Sequence, residues 1–115
     1  MKDSGAQKIA LLLAEGFDEC EAFSVIDLLR KAELPLVAAA AGAQKTVHSA
    51  RGVAVQADGM AADLRAEELR AVVLPGGAPG VDNLTQNEAA QRLTTALCRE
   101  GRLVAAVCGG PAVLA

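Results

Sequence analysis

The sequence predicts an α/β domain built on an open, mostly parallel sheet with helices on both faces. Short, continuous apolar runs, the pattern of strands covered on both sides, occur at residues 8–14, 34–41, 71–74 and 103–107. Between them lie stretches with apolar residues at helical spacing and capping residues at their ends. Alternation of this kind implies a doubly wound sheet. With 115 residues, the chain makes one domain at most.

The first run ends at Glu15-Gly16. Helical spacing follows from Glu19 to Lys31, with Ala22, Val25, Ile26, Leu29 and Ala32 on one stripe. Asp18 is the N-cap candidate, and Glu19 and Glu21 fall in the first turn, where the helix dipole favours negative charge. Residues 34–41 complete a βαβ unit, closed by Gly42. Thr46–His48 and residues 53–56 flank Arg51-Gly52 and suggest a short hairpin or a bent strand. Residues 63–68 read as one helical turn. The run at 71–74 stops at Pro75-Gly76-Gly77. Asn87 can cap a helix through Glu88, Leu93 and Leu97 to Glu100, with Gly101 as its stop. The last run, 103–107, is apolar enough to be central, and it leads into Cys108-Gly109-Gly110-Pro111. Pro111 suits the first turn of a further helix. Because the chain stops at Ala115, barely one turn later, the expectation is a fragment, or a protein whose remainder is a separate or missing chain.

Composition narrows the functional classes. Apolar residues make up 52% of the chain, ample for a packed core, but there are only two Phe and no Tyr or Trp. Stacking platforms for nucleic acid need more rings than that. The net charge of −3, with Lys and Arg scattered, also argues against a phosphate-backbone binder. No apolar run reaches membrane-spanning length, and the polar N-terminus is unlike a signal peptide. The three cysteines, Cys20, Cys98 and Cys108, fit neither a zinc site nor a CxxC motif. They suggest free thiols in a reducing, cytoplasmic setting.

In doubly wound sheets, ligands bind beyond the carboxyl ends of the strands. Three loops leave such ends: residues 15–21, 75–81 and 108–111. Cys108 stands at a tight strand-to-helix turn among small residues, Ala105, Ala106, Gly109 and Gly110. Such a turn aims a side chain at the next helix N-terminus, where backbone N–H groups and the dipole favour a thiolate. Its pKa is then expected below the usual ~8.5. A nucleophile or an oxidation target follows, the alternative being a buried core cysteine. Gly76 and Gly77 permit close backbone approach and could supply oxyanion donors, or form an ordinary turn. They match neither the dinucleotide fingerprint nor the P-loop. Asp18, Glu19 and Glu21 compete for an acidic role at the same rim. Facing a thiolate, such a carboxyl group would be protonated and donate a hydrogen bond, or would raise the thiol pKa. His48, the one imidazole, reads as a surface or loop residue, and Cys20 and Cys98, inside helices, read as packing residues.

Leu-Pro-Gly-Gly at 74–77 and Ala-Ala-Val-Cys-Gly-Gly-Pro at 105–111 closely resemble the DJ-1/ThiJ/PfpI superfamily. The apolar strand followed by Glu15-Gly-Phe-Asp-Glu-Cys-Glu21 and a helix agrees with it, as does Val47-His-Ser-Ala-Arg-Gly52. The likeness runs from Lys8 to the end and is nearest to the DJ-1-like branch. It implies a flavodoxin-like, Rossmann-like three-layer sandwich, similar to class I glutamine amidotransferases and incomplete here, and usually dimeric. It also implies that Cys108 is the nucleophile at the elbow, that Glu21 hydrogen-bonds its sulfur, and that the amides of Gly77 and Gly109 lie near the reacting oxygen. In the family the catalytic-site His follows the Cys in the chain, whereas here no His follows Cys108.

The activities this implies are glutathione-independent glyoxalase or protein deglycase action on small aldehydes or glycated protein, with no metal or organic cofactor. The alternative is an oxidative-stress redox sensor or chaperone with little turnover. More remote are a ThiJ protein labelled for thiazole biosynthesis, a PfpI-type peptidase and an amidotransferase-like domain. Expected partners are a second copy of the chain and, if the chain is a fragment, a separate C-terminal piece. No nucleic acid or membrane partner is expected.

Overall fold

The computed structural model of the chain describes residues 8–107. β1 (Lys8–Leu13) leads into α1 (Glu19–Lys31), then β2 (Leu36–Ala40), β3 (Thr46–His48), β4 (Ala54–Gln56) and β5 (Gly59–Met60). Two 3₁₀ turns, Ala61–Asp63 and Ala66–Glu68, precede β6 (Leu69–Leu74), α2 (Ala78–Gln86), α3 (Glu88–Arg99) and β7 (Leu103–Ala106).

The main sheet has the order β5-β2-β1-β6-β7 with parallel neighbours throughout. β1 holds the centre because Ile9 to Leu13 are all buried, which suits only a strand with a layer on each side. It pairs with β2 from Ile9↔Leu36 to Leu13↔Ala40 and with β6 from Ile9↔Ala71 to Leu11↔Val73. Alternate residues face opposite ways. Ala10, Leu12, Val72 and Leu74 pack with Val81, Leu84, Ala90, Leu93 and Leu97 of α2 and α3. Ile9, Leu11, Leu13, Ala71 and Val73 pack with Phe17, Ala22 and Val47 under α1 and the hairpin. The expected α/β sandwich is therefore present.

Asp18 caps α1, its Oδ1 accepting from Glu21 N–H at 3.0 Å, and Asn87 caps α3 through Ala90 N–H at 2.9 Å. The expected hairpin forms, β3 pairing with β4 from Thr46↔Gln56 to His48↔Ala54. Other expectations need correction. Residues 78–81, read as part of a loop, open α2, which runs on to Gln86: Pro79 and Gly80 hide it in the sequence, yet Pro is well tolerated in a first turn. The single turn expected at 63–68 is two 3₁₀ turns. The last strand, expected to be central, stands at the edge of the described sheet, with Leu103 64% exposed.

Candidate functional site

Two loops at the carboxyl end of the sheet interlock. Asp18 N–H donates to the Gly76 carbonyl at 3.0 Å, and Gly76 N–H donates to Glu21 Oε1 at 2.7 Å. The peptide at Gly76 thus faces the first turn of α1 with both polar groups satisfied. Gly80 N–H adds a bond to the Gly16 carbonyl at 3.2 Å. The approach is close enough to need glycine. Gly77 has φ +99°, and a Cβ there would lie 2.7 Å from both Asp18 N and Gly16 O; one on Gly80 would lie 2.9 Å from Phe17 Cα. No side chain fits at those separations without displacing backbone.

Of the three acids that compete on sequence, Glu21 is the one turned to this rim. Its half-buried carboxylate is held by Gly76, two residues past the end of β6. Asp18 is the cap, and Glu19 points toward the hairpin. Gly76 N–H, expected as an oxyanion donor, instead anchors Glu21, so Gly77 is the remaining candidate donor of this loop. Val107 N–H donates to the Leu74 carbonyl at 3.0 Å, so the backbone leaves β7 beside the point where β6 gives way to Pro75-Gly76. Cys108 and Gly109 lie outside the described residues.

Glu19 makes the most elaborate side-chain contact of the rim. Its carboxylate accepts from Ser49 Oγ at 2.6 Å, Arg51 N–H at 3.1 Å and Arg51 Nη1 at 2.7 Å. The Ser49 hydroxyl above all, then the backbone N–H of Glu19 itself and Arg51, hold its pKa down to about 2 against an ordinary 4.5. Ser49, 5% exposed, also accepts from Val53 N–H at 2.9 Å. The sequence offered one signal for this cluster: Glu19 was among the candidate acids, and its partners lie in the Val47 to Gly52 stretch.

His48 is exposed, as expected, and contacts Glu15 at 3.2 Å rather than Glu21. It lines a cavity of about 340 Å³ with Glu15, Gln44 and Thr46. Cys20 and Cys98, expected to pack, are both exposed. Each lies off the apolar stripe of its helix: Ala22 is the residue α1 buries, and α3 buries Leu93 and Leu97. Among the described residues no group of three or more His, Cys, Asp or Glu could hold a metal ion. Nor is any described helix long and apolar enough to cross a membrane.

A model of the DJ-1/PfpI family matches residues 7–115. The chain belongs to that family. Protein DJ-1 homolog B of Arabidopsis thaliana is 29% identical over 110 residues, covering 96% of this chain and 25% of its own length. Glutathione-independent glyoxalase DJR-1.2 of Caenorhabditis elegans is 30% identical over 111 residues, or 95% of this chain and 59% of the relative. Among solved structures, oxidized Toxoplasma gondii DJ-1 superposes with a TM-score of 0.89 at 33% identity, covering 94% of this chain and 59% of that one. The flavodoxin-like fold expected from the sequence is the fold of these DJ-1 structures. The chain thus spans from a quarter to about three fifths of the length of these relatives.

Proposed function

We propose that this chain is part of a cysteine-dependent DJ-1-like enzyme acting on glyoxals or on glyoxal-derived protein adducts. The observation that carries the reading is the Glu21 carboxylate, fixed by Gly76 N–H at the carboxyl edge where β7, the strand that precedes Cys108 in sequence, ends. Likeness to a protein named as a glutathione-independent glyoxalase supports the reaction type.

In this reading the Cys108 thiolate adds to the aldehyde carbon of an α-oxoaldehyde, and the carbonyl oxygen takes up a proton to give a hemithioacetal. Glu21 removes the proton from that carbon and returns it at the neighbouring carbonyl group, so one carbon is oxidised as the other is reduced. Water then releases a 2-hydroxycarboxylate and restores the thiol. Backbone amides, Gly77 among them, stabilise the oxyanions. No external oxidant or reductant is needed. Self-association into a homodimer belongs to the same proposal and is checked by sedimentation.

Cys108→Ser in the complete protein is expected to abolish conversion of methylglyoxal to lactate, and unchanged turnover in that variant would overturn the reading. Likeness to an oxidized DJ-1 structure favours a second reading, a redox sensor whose Cys108 is oxidised to the sulfinate beside Glu21. Mild peroxide followed by intact-mass measurement separates the two. A two-oxygen gain at Cys108 with negligible lactate formation supports the sensor.

A further inference from the structure

The first turn of α1 is held from two sides. On one side Glu21 and Asp18 bond to Gly76. On the other, the β3–β4 hairpin is docked on residues 16–19. Phe17 bridges Ser49 in parallel fashion, Gly16 N–H donates to the His48 carbonyl at 2.8 Å, and Ala50 N–H donates to the Phe17 carbonyl at 2.8 Å. Glu19 completes this side by gathering Ser49 Oγ, Arg51 N–H and the Arg51 guanidinium. The Ser49 hydroxyl is the pivot, donating to Glu19 while accepting from Val53 N–H across the turn.

Phe17 and Val47 pack beneath this turn, but within α1 itself burial is sparse. Ala22 is the buried residue of α1, and Phe23 and Leu28 are 38% and 66% exposed. Helix ends fray unless tied down, and a group that moves protons loses much of its effect when it is misplaced by an ångström.

We infer that Ser49 and Glu19 make the β3–β4 hairpin a positioning element for the Glu21 carboxylate. The inference deepens the proposed function and rests on it for the role of Glu21. Ser49 and Glu19 touch neither substrate nor sulfur in this scheme. They act by keeping the helix start, and with it Glu21, in register with Gly76.

The test uses Ser49→Ala in the complete protein, with Ser49→Thr to restore the hydroxyl. Amide hydrogen exchange at Gly76 is expected to quicken about tenfold in Ser49→Ala and to recover in Ser49→Thr, while β1 amides stay protected. For methylglyoxal, kcat is expected to fall about tenfold with KM within about twofold, because positioning rather than binding is lost. Unchanged exchange at Gly76 overturns the inference whatever the turnover. So does faster exchange spread equally over β1, which signals general loosening. Glu19→Gln, which keeps an acceptor for Ser49 but drops the charge, is expected to give an intermediate result, and an effect at Gly76 larger than that of Ser49→Ala counts against the hydroxyl as pivot. Glu21→Gln separates catalysis from positioning. Normal turnover in that variant sinks the catalytic reading, while the exchange measurement still decides the positioning one.

Discussion

The two faces of the sheet are held in different ways. On one, α3 seats Ala89, Ala90, Leu93 and Leu97 against β6 and β7, and contact is almost wholly aliphatic. On the other, α1 is only partly sunk and is tied by polar contacts: the Asp18 cap, Glu19 on Ser49 and Arg51, Glu21 on Gly76, and Arg30 on Asp58 at 2.7 Å. Apolar burial is non-directional and secures a helix without fixing where any one atom lies. Hydrogen bonds are directional and fix atoms at little net gain in stability. The α3 face therefore supplies stability, and the α1 face supplies placement.

Four measurements can break or sharpen that contrast. The largest effect is expected at the joint between the loops. Gly77→Ala, combining positive φ with a clash against Asp18 and Gly16, should lower unfolding free energy by about 4 kcal/mol. Gly101→Ala has positive φ but open space and should cost only about 1 kcal/mol, so near-equal urea midpoints would show that the close approach is unimportant. Next comes Leu93→Ala on the aliphatic face, fully buried, with about 3 kcal/mol lost and Gly76 exchange unaltered relative to global stability. Thr94 is smaller and of opposite sign. Its hydroxyl is buried, 4% exposed, with no hydrogen-bond partner among the described residues, so Thr94→Val should gain about 1 kcal/mol in thermal or urea unfolding. A loss there would mean that the hydroxyl is satisfied in solution.

The smallest effect is expected on titration, because solvent screens the exposed Arg51 arm of the Glu19 cluster. Glu19 has a folded pKa of about 2, depressed from 4.5. A depressed carboxyl pKa stabilises the fold above the unfolded value, and that contribution is lost as pH falls through the folded one. The stability difference between the parent chain and Glu19→Gln should hold above pH 4.5 and shrink between 4.5 and about 2. A difference that does not change across that range would show that the Glu19 carboxylate is not held by Ser49 and Arg51 in solution.

Much of the fold was legible before any coordinates. The strands β1, β2, β6 and β7 announce themselves as apolar runs, and α1 and α3 by a capping residue ahead of a regular stripe. α2 was missed because its first turn carries Pro79 and Gly80, and only Val81 and Leu84 of its later residues are buried apolar side chains. β5 spans two residues, too few to show a period. Cys20 and Cys98 were misread for a different reason. Cysteine is buried often enough to suggest packing, but the helical period turns both away from the core.

At the site, composition and spacing alone pointed to two loops that meet at the carboxyl edge, 15–21 and 75–81, to glycines where their backbones touch, and to an acid among residues 18, 19 and 21, while the third loop, 108–111, lies outside the described residues. Tertiary structure decided the assignment: Asp18 to the cap, Glu19 to the hairpin, Glu21 to Gly76. Successive residues on a helix project about 100° apart, so neighbouring acids of one turn face different partners. Which partner stands in each direction depends on segments dozens of residues away, such as the hairpin and the end of β6, and local sequence carries no record of them.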